Sequence, residues 1–283
     1  MSKKLLKFGN MKITFNLTLI SLLIGTGIFA QTKIPTSIEY FNSGNAKSRL
    51  GDYGGAIQDY SKAIELNPKD EGAYTNRGIA KSRLDDNRGA IQDFNKVIEL
   101  NPKNEGAYFN RGLAKELDDN RGAIEDYNKV IELNPKNENA YFNSGNAKSE
   151  SGDYGDAIQD YNKVIELNPK EEVAYTNRGR AKSELGDYLG AIKDYNKAIE
   201  LNPEFVNSYT QRGIAKAKLG DYRGAIQDLN KVIELNPKEE GAYFNRGLAK
   251  SMLGDKNGAC LDFSKAGELG FESAYEAIKQ YCN

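Results

Sequence analysis

The 283-residue chain contains no histidine and no tryptophan, and only two cysteines. Without an imidazole there is no Ser/His/Asp or Cys/His arrangement and no imidazole-bound metal. General acid–base work would fall to carboxylates or lysines. No excess of charge of either sign is present, with 39 Lys and Arg against 40 Asp and Glu. The first 30 residues hold four of the lysines and no acid, which leaves 35 basic and 40 acidic residues and a net charge of −5 on the remainder. That balance gives no footprint for nucleic acid. An uncharged run, ITFNLTLISLLIGTGIFA, extends from Ile13 to Ala30 behind Lys3, Lys4 and Lys7. It reads as an export signal over residues 1–30, ending at Ala30, with Met11 as a second candidate start. A retained anchor is the alternative, although Thr14, Asn16, Thr18 and Ser21 leave the run marginal for crossing a bilayer. Cleavage implies a protein of the periplasm, envelope or exterior, with no membrane insertion afterwards.

What the chain does have is repetition. The phrase NKVIELNPK begins at Asn95, Asn128, Asn162 and Asn230, with near copies at Ser61 and Asn196. The prolines after ELN, Pro68, Pro102, Pro135, Pro169, Pro203 and Pro237, follow one another at 34, 33, 34, 34 and 34 residues. A fixed period of this size marks stacked repeats. In the unit from Glu71 to Asn104, Tyr74, Gly78, Lys81 and Leu84 form one helical stripe, and Ala90, Phe94, Val97 and Ile98 a second. An aspartate stands before the second stripe in all seven units (Asp52, Asp86, Asp119, Asp153, Asp187, Asp221, Asp255) and predicts an N-cap. Asn-Pro stops the second helix, because the residue before proline avoids helical torsions. Gly78 and Ala90, with their counterparts in every unit, are the small residues that let the two helices touch.

A hairpin with an aromatic, Leu-Gly, an aromatic, then Ala, an aromatic, Ala and Pro is the tetratricopeptide repeat pattern. Tyr74, Gly78, Ala90, Phe94 and Pro102 match it, so the chain resembles that family. Two departures are systematic: Arg or Ser (Arg77, Ser43) replaces the Leu, and Lys (Lys81) the second aromatic. The resemblance implies an all-α fold, a right-handed α-solenoid of stacked helix-turn-helix repeats. The expected organisation is a signal at 1–30, a short linker at 31–36, seven units at 37–271 and a C-terminal capping helix at 272–283. Signal, units and cap leave no stretch for a catalytic domain, and no cofactor or metal is implied.

In the family, the first helices line the concave face. By resemblance, Phe41, Thr75, Phe109, Phe142, Thr176, Thr210 and Phe244 point into a partner-binding groove. Asn45, Ile79, Leu113, Asn146, Arg180, Ile214 and Leu248 follow one turn later. The alternative is that several of these Phe only fill gaps between units. Family members that clamp C-terminal carboxylates use lysines in the groove, where this chain has Phe or Thr. The function implied is a non-enzymatic scaffold, a monomer rather than an oligomer, that binds protein or peptide segments. An architectural envelope component acting by self-association is the alternative, and RNA binding is disfavoured by the charge.

Further expectations concern single positions. Lys47, Lys81, Lys115, Lys148, Lys182, Lys216 and Lys250 face Asp59, Asp93, Asp126, Asp160, Asp194, Asp228 and Asp262, and predict a ladder of ion pairs. The arginine before each glycine reads as a weaker partner, since units one and four carry Ser43 and Ser144 instead. Unit three is one residue short, which predicts an irregular turn near Glu116. Cys260 and Cys282 lie equidistant from the turn near Phe271, so the final helices bring them level and predict a disulfide.

Overall fold

A computed structural model of the protein describes residues 35–282 except residue 117. The expected signal at 1–30 and most of the linker lie outside the described residues. The rest is an α-solenoid of seven helical hairpins. The first helices are Ser37–Arg49, Glu71–Ser82, Glu105–Lys115, Glu138–Glu150, Glu172–Glu184, Val206–Lys218 and Glu240–Met252. The second helices are Tyr53–Leu66, Asn87–Leu100, Asn120–Leu133, Tyr154–Leu167, Tyr188–Leu201, Tyr222–Leu235 and Lys256–Glu268. A final helix, Ser273–Tyr281, packs on the last hairpin.

Close approach within each hairpin depends on the glycine of the first helix. Tyr60, Phe94, Tyr127, Tyr161, Tyr195, Leu229 and Phe263, one per second helix, are at most 1% exposed. Each ring lies against the glycine facing it. A Cβ on Gly44, Gly78, Gly112, Gly145, Gly179 or Gly247 would stand 2.6–2.8 Å from a ring carbon of that side chain. Burying such a side chain, a ring in every unit but the sixth, contributes roughly 1.5–3 kcal/mol per unit.

The aspartate caps form in six units, with the carboxylate accepting the N–H three residues on at 2.8–2.9 Å. Asp153 makes no such bond. In the six capped units the third residue is glycine, and a Cβ there would come 2.0–2.2 Å from the aspartate Oδ2. Unit four has Asp156 at that place, so its own Cβ excludes the cap.

The lysine ladder is complete: all seven Lys–Asp pairs stand at 2.7–2.9 Å. Its reading of arginine needs correction, because arginine is the more extensively bonded partner. Arg77 Nε and Nη2 donate to the two oxygens of Asp93 at 3.0 and 2.6 Å, a bidentate pair. Its Nη1 donates to Ser61 of the preceding unit at 3.0 Å. Arg111, Arg178, Arg212 and Arg246 repeat this with Asn95, Asn162, Asn196 and Asn230 at 2.6–2.7 Å. The first letter of NKVIELNPK is therefore the acceptor for the next unit's arginine. Its last Asn ties the hairpin the other way: Asn101 donates to Glu71 at 3.1 Å.

Unit three is irregular where expected. Its first helix ends at Lys115, eleven residues long. The other units turn through a residue at positive φ, such as Gly186 at 81° or Asp85 at 61°. Glu116 instead accepts the Tyr127 hydroxyl at 2.6 Å. Burial raises the Glu116 pKa, and the Glu150 charge adds to this, against the Tyr127 bond.

The glycine contacts make a test. Gly179→Ala drives a Cβ into the buried Tyr195 ring and is expected to destabilise by about 1–3 kcal/mol, despite alanine's better helix propensity. Gly213 faces Leu229, where the added Cβ would meet Cγ at 3.3 Å. Gly213→Ala is expected to fall within about 1 kcal/mol of wild type, the two effects offsetting. Urea unfolding of both variants measures the contrast.

Candidate functional site

Residues of the first helices line a series of recesses between neighbouring units. That between units one and two has a volume of about 300 Å³ and is lined by Asn45, Ser48, Arg49, Tyr60, Asn76 and Ile79. The next, about 310 Å³, repeats the arrangement with Ile79, Ser82, Arg83, Phe94, Asn110 and Leu113. Units five and six enclose about 300 Å³ between Arg180, Ser183, Gln211 and Ile214, with Glu184 and Lys218 of opposite charge. Units six and seven enclose about 250 Å³ with an aliphatic wall of Ile214, Leu248 and Met252.

The expected groove residues divide into three groups. Ile79 and Leu113 are 36% and 42% exposed, Arg180 is exposed, and Ile214 and Leu248 are half-buried. These line the recesses. The phenylalanines are half-buried against their own second helix. Phe41, Phe109, Phe142 and Phe244 stand 5.7–6.3 Å, ring centre to ring centre, from Tyr60, Tyr127, Tyr161 and Phe263. Thr75 and Thr210 are half-buried, their hydroxyls bonded to the carbonyls of Glu71 and Val206. Thr176 departs from expectation. It is 1% exposed, and its Oγ1 lies 2.7 Å from Ser208 Oγ, because Ser208 of the next unit stands where most units have alanine. It offers the groove no surface.

Asn45 and Asn146 form a third group. Asn146 Oδ1 accepts the Tyr161 hydroxyl at 2.8 Å and the amide of Asn177 in the next unit at 3.0 Å. Asn45 does the same for Tyr60 at 2.9 Å and Asn76 at 2.8 Å. The groove position thus answers to the second helix behind it. Asn stands before Tyr60 and Tyr161, whereas Ile79, Ile214 and Leu248 stand before Phe94, Leu229 and Phe263, which have no hydroxyl. Leu113 stands before Tyr127, whose hydroxyl turns to Glu116, and Arg180 before Tyr195, whose hydroxyl lies 3.4 Å from Ser183. Burial raises these phenol pKa values, to about 12 for Tyr195. The phenols stay protonated as donors at neutral pH.

The expected list omitted Asn76, Asn110, Gln211 and Asn245, the amides three residues before Ile79, Leu113, Ile214 and Leu248, and the charges at Arg49, Arg83, Glu184 and Lys218. Their signal was present in the sequence, since both sets recur at the same period as the positions chosen. Among the described residues no group of three or more Cys, Asp or Glu is placed to hold a metal ion. None of the described helices is long and apolar enough to cross a membrane.

Comparison with known proteins agrees with this geometry. Models described as TPR repeat and tetratricopeptide repeat match residues 44–85, 115–152, 179–220 and 215–254, 138–171, and 71–104. Together they span more than half the chain, which belongs to the tetratricopeptide repeat family. No curated protein matches it. Among solved structures, it is similar to a tetratricopeptide repeat protein from Parabacteroides merdae, at 25% identity over 87% of this chain and 99% of that one, with a TM-score of 0.64. It is also similar to MamA, at 28% identity over 57% of this chain and 95% of that one, with a TM-score of 0.55. YrrB, described as a TPR protein with an unusual peptide-binding site, shares the fold at 21% identity, over 65% of this chain and 95% of that one, with a TM-score of 0.58.

The pairing of Asn146 with Tyr161 predicts a compensated double variant. Asn146→Leu strands a buried hydroxyl and is expected to destabilise by about 1–3 kcal/mol. Adding Tyr161→Phe, which copies the Leu248 and Phe263 pairing of unit seven, is expected to recover most of the loss. Denaturant unfolding of the two single variants and the double variant gives the coupling.

Proposed function

We propose that this protein is a non-enzymatic scaffold, exported across a membrane, that holds segments of partner proteins in its concave groove. Tetratricopeptide repeat folds in general serve as protein–protein interaction scaffolds and are typically non-enzymatic. The carrying observation is the exposed aliphatic pair Ile79 and Leu113, set between Asn76, Asn110, Arg49 and Arg83. Apolar side chains open to solvent, flanked by amides, suit a polypeptide: the aliphatics take its side chains and the amides its backbone. Export rests on the apolar run behind Lys3, Lys4 and Lys7.

The test is capture of partners from an envelope fraction by the whole chain, read by mass spectrometry against a groove variant. Ile79→Glu with Leu113→Glu is expected to reduce capture about tenfold or more, because contact energy concentrates in a few central side chains. The circular-dichroism spectrum should stay helical, since both side chains stand outside the core. Undiminished capture would move the interaction to the convex face or the ends.

The same reading includes a disulfide between Cys260 and Cys282. Their Cα atoms stand 5.7 Å apart, within disulfide range. An oxidising compartment would keep the bond. It would tie the final helix, whose Ala274 and Ala277 are its buried residues, to the last hairpin. Thiol counting on denatured, exported protein without reductant is expected to find no free thiol. Two free thiols would reject both the bond and the compartment.

A further inference from the structure

In five units an arginine guanidinium sits in one constellation. Arg77, Arg111, Arg178, Arg212 and Arg246 each place Cζ 5.4–5.5 Å over the ring of the tyrosine three residues earlier. Each also grips both oxygens of its unit's aspartate, as Arg77 does Asp93. Ring face and carboxylate together make a holder for a planar cation.

Unit one has the holder without the arginine. Tyr40 and Asp59 are the counterparts of Tyr74 and Asp93, and Ser43 stands where the arginine would be. The place is open: Pro35, Glu39, Tyr40, Ser43 and Asp59 line a recess of about 340 Å³. Ser43 Oγ and Lys47 Nζ both approach Asp59 Oδ2, at 2.6 and 2.7 Å. Neither takes Oδ1, the oxygen that receives Nη2 in the five arginine units.

Charge points the same way. In unit two, Asp93 is balanced by both Lys81 and Arg77. In unit one, Asp59 has Lys47 alone among the described residues, with Ser43 in the arginine's place. Unit four is the internal control. It too has a serine in place of the arginine, but Ser144 is 0% exposed beneath unit three, and Asp160 is paired with Lys148 at 2.7 Å. Only the N-terminal end, with no unit before it among the described residues, leaves the holder accessible.

We infer that the recess at the N-terminal end of the solenoid binds a guanidinium group, carried by an arginine side chain of a polypeptide. The five filled units display the bound state: guanidinium over the tyrosine ring, two N–H donors on the carboxylate. A polypeptide is the source, because the recess lies on the end face, where another chain can approach.

The test is titration of the whole chain with N-acetyl-L-arginine N-methylamide, followed through its amide resonances. Saturable shifts are expected at Ser43, Gly44 and Asp59. The lysine and citrulline counterparts are expected to bind at least about tenfold more weakly, lacking the planar fork and the charge respectively. Asp59→Asn is expected to weaken binding about tenfold. Ser43→Arg keeps the carboxylate and supplies the chain's own guanidinium. It is expected to abolish binding and raise the melting temperature, and it decides the matter should Asp59→Asn fail to fold. No shift at these amides, or a Ser43→Arg chain that binds the probe as wild type does, would overturn the site. Free L-arginine binding more tightly than the blocked form would overturn the polypeptide source.

Discussion

The aspartate of the second helix, buried in every unit but the first, is the point on which the solenoid turns. Asp93, Asp126, Asp194, Asp228 and Asp262 are 3–4% exposed, and a carboxylate so placed must be compensated. Each takes a lysine and an arginine from its own first helix. The arginine then reaches the preceding unit, so the group that neutralises the charge also sets the stacking of hairpins. Removing such an aspartate would leave two partly buried cations facing each other, a change of roughly 3–5 kcal/mol. The apolar core could not replace it, because alanine and glycine line most of the seam between helices. They permit approach and supply little area.

Much of this was legible because the units can be compared with one another inside one chain. Hairpin boundaries followed from Asp and Asn-Pro, and the Lys–Asp ladder from a fixed offset between two stripes. The arginine was undervalued because Ser43 and Ser144 broke its pattern. The structure supplies the reason in unit one: among the described residues there is no preceding second helix for Nη1 to reach. The capping reading failed at Asp153 for a cause two elements wide, since the aspartate matters only where glycine follows three residues later. In the groove, period alone found a stripe of which some members line the recesses, but could not rank its members. Whether a phenylalanine on that stripe faces solvent or the ring behind it depends on the angle between the two helices of a hairpin. No spacing within one helix contains that angle. Asn45 and Asn146 were read as groove amides, and their bonds to Tyr60 and Tyr161 became visible only once the second helix stood behind them.

The joint between units three and four gathers several departures. Unit three is a residue short, and Glu116 takes up the Tyr127 hydroxyl. Asn120 reaches across to Glu150 at 3.2 Å. Among the described residues, the buried side-chain atoms without a hydrogen-bond partner are Asn120 Oδ1 and Ser144 Oγ, and both lie here. Buried polar groups are as a rule satisfied, so two such atoms at one joint mark it as the place where repetition is least well resolved. Apolar packing continues through it: Tyr127, Val130, Ala140 and Tyr161 are all 0% exposed.

Unit four therefore carries the sequence of an end in the middle of an array. FNSGNAKS occurs at Phe41 and again at Phe142, three units apart. At the first place serine is apt, because among the described residues no second helix precedes it. At the second, Asn128 of unit three stands where the other junctions have the acceptor for an arginine, and Ser144 is too short to reach it. The junction gives up the bond between units, the stacking over tyrosine and one of the aspartate's two cations. Units one to three and units four to seven are each stapled throughout, and the two runs are joined by apolar contact, by the Asn120 bond and by Asn137, which donates to Glu105 of unit three while capping the first helix of unit four. Each run also opens with the same Asn–Tyr–Asn bridge, at Asn45, Tyr60 and Asn76 and at Asn146, Tyr161 and Asn177. The concave surface is thus two segments of like construction in series. The joint between them differs from its neighbours in kind rather than in number of polar bonds: Asn120 to Glu150 crosses it, where Arg111 to Asn95 crosses between units two and three and Arg246 to Asn230 between units six and seven.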